Sequence, residues 1–173
     1  MNEKPTIKKV CSFCVSDWHF ITMIIPYIHN KIKNKENVEI FTQQSRLEEI
    51  QIFLSKLMLN LKEKEDIISL NWESSKISKS NNLEKRLEKC KDNKVTIIIE
   101  GNHSYIERVN RYIKKYIEKN ITKDITIVNC YEVMRFNQNM EEILSKHDKI
   151  LNTSGEKNIE DIFEGYVKNE EGA

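Results

Sequence analysis

Short apolar runs bounded by polar residues recur along the chain, and this is the pattern of buried β-strands. The three isoleucines Ile97–Ile99 are consecutive, so their strand would be apolar on both faces, as in the centre of a parallel sheet. The predicted strands are Ile7–Val15, Asn37–Thr42, Asp66–Asn71, Lys94–Gly101, Ile125–Tyr131 and the shorter Lys149–Asn152.

The segments between these runs carry apolar residues every three or four positions, which is the spacing of amphipathic helices. Asp17 is the predicted N-cap of the first helix, and Pro26 predicts a kink or a break within it. The pairs Ser45–Glu48 and Ser104–Glu107 have the spacing of capping boxes, and the apolar stripe after the first pair extends to Leu61. Further helices are predicted around Leu83–Cys90, Met140–Lys146 and Ile159–Tyr166.

Alternation of strands and helices predicts an α/β fold in three layers, with a mostly parallel sheet covered by helices on both faces. We expect one domain over residues 1–167 and a frayed tail over residues 168–173. The segment Asn71–Asn82 is rich in Ser, Asn and Lys, and it is the expected mobile surface loop of the domain.

Composition restricts the classes of function. The 173 residues include 28 Lys and Arg against 27 Asp and Glu, and this balance argues against direct nucleic-acid binding, which needs a basic excess. The N-terminus lacks the long apolar core of a signal peptide, and no apolar stretch is long enough to span a membrane. Together with four cysteines, which are most simply reduced thiols, these features predict a cytoplasmic protein.

Two motifs with known chemistry are incomplete in this sequence. Cys11 and Cys14 have the C-x-x-C spacing of half a zinc site, but no second pair and no histidine ligand spacing accompany them. On a strand, residues three apart point to opposite faces, so the two thiols should diverge as small buried side chains. The chain has only four glycines and lacks the glycine-rich turn of a P-loop or a Rossmann fold. We therefore expect no metal site and no cofactor.

Ligands of open parallel sheets bind beyond the carboxyl ends of the strands. Polar and aromatic residues follow several predicted strands here, a mixture that suits a small-molecule pocket. Glu100 and His103 could also form an acid–base pair, although no nucleophile accompanies them. The predicted ligand-binding residues are Asp17, Trp18, Gln43, Trp72, Glu100, Asn102, His103 and Tyr131.

The segment Thr126–Gly155 contains a recognisable order of residues: a strand ending in Cys-Tyr, then Arg-Phe, a leucine-bearing helix and a histidine before the last strand. This order resembles the C-terminal signature of the MEDS domain, the sensory domain of methanogens and methylotrophs. The N-terminus fits less closely, because Lys9 and Cys14 stand where the family has histidine and tyrosine. The matching motif residues are Cys11, Cys130, Tyr131, Arg135, Phe136 and His147.

The resemblance implies a RecA/KaiC-like core without Walker motifs and a role in signal sensing. We therefore expect a non-catalytic sensory or regulatory domain that binds a small ligand or a signalling partner, such as a sensor kinase or a transcription regulator. One alternative is a protein-interaction regulator without a small ligand, for which the basic helix face in Arg108–Lys119 offers a surface. Another is an enzyme built on Glu100 and His103. A homodimer is compatible with each of these roles.

Overall fold

The computed structural model describes residues 6–75, 80–90, 94–119, 124–133 and 140–163. Strands and helices alternate through most of this part of the chain, as the hydrophobic pattern predicts. The elements are β1 (Ile7–Cys14), α1 (Asp17–Lys33), β2 (Asn37–Thr42), α2 (Leu47–Lys56), α3 (Leu61–Ile68), α4 (Ser80–Glu88), β3 (Lys94–Gly101), α5 (His103–Lys119), β4 (Asp124–Glu132), α6 (Met140–Ser145), β5 (Lys149–Asn152), β6 (Gly155–Lys157) and α7 (Ile159–Ile162).

The six strands form one sheet in the order β2-β3-β4-β1-β5-β6, and only the β5–β6 pair is antiparallel. Apolar residues of α1, α2 and α3 pack against one face of the sheet, and those of α4, α5, α6 and α7 pack against the other. The predicted three-layer α/β fold is therefore confirmed. None of the described helices is long and apolar enough to cross a lipid bilayer.

Helix α1 begins with a different capping residue from the predicted one. The side chain of Ser16, not Asp17, caps it by accepting a hydrogen bond from the His19 amide, at 3.1 Å. The helix also continues through Pro26 without a break. Pro26 is exposed, and the buried face of α1 on either side of it packs against the sheet. This packing stabilises the helix despite the hydrogen bond that proline cannot donate.

The predicted strand Asp66–Asn71 is wrong, because residues up to Ile68 belong to α3. A capping box starts this helix: the Asn60 side chain accepts from the Glu63 amide, and the Glu63 side chain accepts from the Asn60 amide. Helix α2 stops at Lys56, where Leu57 takes an extended backbone, so it does not extend to Leu61 as predicted, and Leu61 begins α3.

The two predicted capping boxes are not formed. Arg46 occupies the N-cap position of α2 and makes no side-chain capping bond, so Ser45 is not the cap. At the start of α5, the Asn102 side chain accepts from the Tyr105 amide at 2.9 Å, in the place predicted for Ser104. Asparagine is as good a cap as serine, and here it comes directly after the last residue of β3.

The described part of the predicted loop Asn71–Asn82 is not a free surface segment. Trp72 is 1% exposed, and its indole N–H donates to the Ile67 carbonyl at 2.8 Å. Ser74 forms a β-bridge with Thr42. Helix α4 already begins at Ser80. The apolar surface of Trp72 is large enough to draw the start of this polar segment into the core.

Candidate functional site

The carboxyl edge of β3, where a ligand was predicted, holds a buried guanidinium on the α1–α3 side of the sheet. Arg46 is 3% exposed, and its Nη2 and Nε donate to the two carboxylate oxygens of Glu100 at 2.7 and 3.3 Å. Its Nη1 lies 2.9 Å from a carboxylate oxygen of Asp17. The Glu100 carboxylate is therefore committed to an internal ion pair rather than directed at a ligand.

Burial and ion pairing shift the pKa values of Glu100 and Arg46 in opposite directions. Burial raises the pKa of Glu100 above its ordinary value, although the hydrogen bonds and charge of Arg46 oppose the shift. Burial lowers the pKa of Arg46 and is the largest single cause, but the hydrogen bonds to Glu100 and the charges of Glu100, Asp17 and Glu49 together outweigh it, so the net shift is upward. The guanidinium stays charged in the core, and Glu100 depends on it for compensation.

The gap between β2 and β3 at the same edge is also closed. The Gln43 side-chain oxygen accepts from the Asn102 amide at 2.9 Å, and it lies directly over Gly101. A Cβ on Gly101 would come within 2.7 Å of that oxygen and 2.8 Å of the Tyr105 ring. Glycine is therefore the residue that permits Gln43 to seal this part of the edge.

The remaining predicted residues divide between the core, the surface and the other side of the sheet. Trp72 is packed in the core, and Trp18 is 46% exposed at the start of α1. His103 and Tyr131 instead line a cavity between α5 and α6. The six predicted residues that do not line this cavity are Asp17, Trp18, Gln43, Trp72, Glu100 and Asn102.

The cavity has a volume of about 630 Å³ and lies over β4 and the first half of β1. Its walls come from α5 on one side and from α6 and the turn after it on the other. Because α6 has only six residues, it covers part of β4 and leaves the rest of that strand to the cavity. The apolar lining is supplied by Ile7, Ile106, Ile113, Ile117, Ile127 and Ile143.

A chain of hydrogen bonds crosses the floor of the cavity. The Asn110 amide donates to the Asn129 side-chain oxygen at 2.9 Å, and the Asn129 amide nitrogen lies 3.0 Å from Nε2 of His147. Nδ1 of His147 lies 2.5 Å from the Ile143 carbonyl, which can only accept. The imidazole therefore carries its proton on Nδ1 and accepts from Asn129 at Nε2.

This imidazole is held neutral. Burial lowers the pKa of His147 to about 4, with a smaller contribution in the same direction from the charge of Lys9. At neutral pH the floor of the cavity consequently carries no charge from His147. Its polar atoms bond to one another, so an apolar molecule could lie over them without breaking a bond.

An aromatic group closes the end of the cavity nearest the carboxyl ends of the strands. The Tyr131 ring stacks on His103 and Phe13, at centroid distances of 5.9 and 6.1 Å, and meets the His147 ring edge-on at 6.0 Å. Burial raises the pKa of Tyr131, so its hydroxyl stays protonated. This end of the cavity is suited to apolar contact rather than to charge.

The four cysteines have the surroundings of core side chains. Cys11 and Cys14 pack on opposite faces of the sheet, as strand parity predicts, and all four cysteines are buried. Burial raises the pKa of Cys11 to about 12. Within the described ranges, no group of three or more His, Cys, Asp and Glu side chains could hold a metal ion.

Two residues of the motif that carries the resemblance, Tyr131 and His147, line the cavity, while Cys11 and Cys130 are buried in the two core layers. Arg135 and Phe136 lie outside the described residues. No protein-family model matches the chain, and no curated protein matches it in sequence.

Asn110, Asn129 and Arg46 were not among the predicted site residues. Asn129 could have been found from the sequence, because it is a polar residue in the otherwise apolar run IVNC of a predicted strand, and such a residue needs a buried partner. Arg46 gave no comparable signal, since it stands among polar residues of a loop.

Proposed function

We propose that the chain is a non-catalytic regulatory domain that binds a small, mostly apolar molecule in the cavity between α5 and α6. The observation that carries the proposal is the cavity itself: about 630 Å³, walled by isoleucines and floored by the Asn110–Asn129–His147 chain. This volume is typical of ligand pockets, and six isoleucines share the described lining with Tyr131 and with charged, amide and imidazole side chains.

The arrangement of titratable groups supports binding rather than catalysis. Glu100 pairs with Arg46 on one side of the sheet, whereas His103 lies on the other side, 3.5 Å from Glu107. The acid–base pair considered from the sequence is therefore not formed. The described lining residues also include no Ser, Thr or Cys that could act as a nucleophile.

The proposed output is a change in how α6 packs. A ligand that contacts Ile113 of α5 and Ile143 of α6 would bridge two helices that the cavity separates. A ligand shifts such an equilibrium only by its difference in affinity for the two arrangements. The resemblance to a sensory domain favours a signalling partner, a sensor kinase or a transcription regulator in the cytoplasm, as the reader of this change.

The test combines native mass spectrometry with partner capture. Protein purified from its source should carry a small molecule that Ile117→Trp, which fills the cavity, abolishes. Ile52→Trp is the matched control, because Ile52 is 40% exposed on α2, against the other face of the sheet. Partner capture that changes with the ligand supports the proposal. Capture that is equal for both variants and independent of any small molecule would favour the interaction-only regulator.

A further inference from the structure

We infer that the ligand is an amphipathic monocarboxylate, with its carboxylate on Lys9 and its apolar body extended along β4 toward Tyr131. This inference rests on the proposed binding function and specifies the chemical class of the ligand. It derives from the placement of charge around the cavity.

Lys9 is an unusual residue for the floor of an apolar cavity. It belongs to β1, has the same strand parity as the buried Cys11, and is itself only partly exposed. The nearby carboxylate of Asp148 accepts the Lys9 backbone N–H at 2.9 Å. The Lys9 ammonium has no carboxylate of the described chain within ion-pair distance. A partly buried cation of this kind is a favourable partner for an anion.

The other charged residues of the lining add to the excess of unpaired positive charge. Glu142 is paired with the Lys146 ammonium at 3.3 Å, and Glu107 lies 3.5 Å from an imidazole nitrogen of His103. A third carboxylate, Glu118, is exposed near the end of α5. Two further cations, Arg111 and Lys114, are likewise exposed on α5 and form no ion pair with described residues. The lining therefore offers more unpaired positive than negative charge.

The strand register gives the direction and length of the ligand. Lys9 lies beside Ile127, and Tyr131 is four residues farther along β4, or about 13 Å at the usual strand rise. Isoleucines line the space between, and the polar floor is satisfied internally. A carboxylate with an unbranched alkyl chain, such as decanoate, matches this arrangement of one cation, an apolar channel and an aromatic end.

Calorimetric titration with decanoate and with 1-decanol tests the inference. Lys9→Met removes the charge and keeps the length of the side chain. Lys115→Met is the matched control, because Lys115 lies on α5 outside the cavity lining. We expect Lys9→Met to weaken decanoate binding at least about tenfold, as for loss of a charged hydrogen bond. It should leave 1-decanol binding unchanged, and the control should bind both probes as the wild type does.

Three results would be contradictory in different ways. Equal binding of decanoate and 1-decanol by the wild type would overturn the carboxylate and leave the binding function in place. Decanoate binding that Lys9→Met does not weaken would likewise overturn the assignment of Lys9. The third result is that neither probe binds and that native mass spectrometry finds no difference in bound small molecules between the wild type and Ile117→Trp. This result would overturn both the carboxylate and the proposed function.

Discussion

Replacement of Arg46 by methionine should destabilise the protein more than any substitution at its surface. The change keeps much of the apolar stem and removes the guanidinium that pairs with Glu100 at 2.7 and 3.3 Å. Both side chains are at most 4% exposed, so Glu100 would be left as a buried carboxylate without its cation. Removal of one partner from a buried pair costs about 3–5 kcal/mol.

The ion pair between Arg46 and Asp17 provides a smaller expected loss of stability for comparison. The Asp17 side chain is 49% exposed, so its 2.9 Å contact with Arg46 is screened by water. Asp17→Asn should therefore cost at most about 1 kcal/mol. The double variant Arg46→Met/Glu100→Gln leaves no buried charge, and it should recover about 2 kcal/mol or more relative to the sum of its single variants.

Urea unfolding measured by tryptophan fluorescence suits this comparison, because Trp72 is 1% exposed and its carbonyl accepts the Arg46 backbone N–H at 2.8 Å. Burial raises the pKa of Glu100, and Arg46→Met removes the opposing charge. A folded-state pKa above the unfolded value means that stability is lost as pH rises through it. The loss of stability of Arg46→Met relative to the wild type should therefore be larger at pH 8 than at pH 5. A loss below 1 kcal/mol, independent of pH, would refute the reasoning.

Three further predictions concern single positions. His147→Gln should reduce the loss of stability between pH 6.5 and pH 4 by about 3 kcal/mol, because burial lowers the folded pKa of His147 to about 4 and the unfolded chain binds the proton first. Unfolding measured as a function of pH tests this, and an unchanged profile would contradict it. Gly101→Ala should lower the free energy of unfolding by about 1–3 kcal/mol, since its Cβ would lie less than 3 Å from atoms of Gln43 and Tyr105. An unchanged free energy of unfolding would show that this edge is not sealed. Cys14→Ser should leave the metal content of the purified protein unchanged, and loss of stoichiometric zinc in this variant by elemental assay would show that the thiol is a ligand.

The strands were the most predictable part of the fold. The bounds of β2, β3 and β5 agree with the apolar runs residue for residue, because buried parallel strands require continuous apolar sequence. The run Asp66–Asn71 misled because short apolar runs fit a helix as well as a strand. The capping box of Asn60 and Glu63 was the local signal that decides for the helix.

The candidate site was only partly predictable. Strand parity separates Glu100 from Tyr131: Glu100 is in register with Cys130, so Tyr131 lies one position farther and points to the other face. That division could have been derived from the sequence once the sheet was known. The cavity could not, since it depends on the short α6 leaving part of β4 uncovered, and this is a matter of packing between distant segments.

The central claim is that small molecules enter the cavity between α5 and α6. Methyl-resolved NMR of isoleucine-labelled protein during a decanoate titration tests it directly, because isoleucines occur on both sides of the sheet. The account predicts shifts at Ile106, Ile113 and Ile127, which line the cavity, and none at Ile24 and Ile28 on α1. Shifts confined to the α1 side, or no shifts at saturating decanoate and 1-decanol, would contradict it.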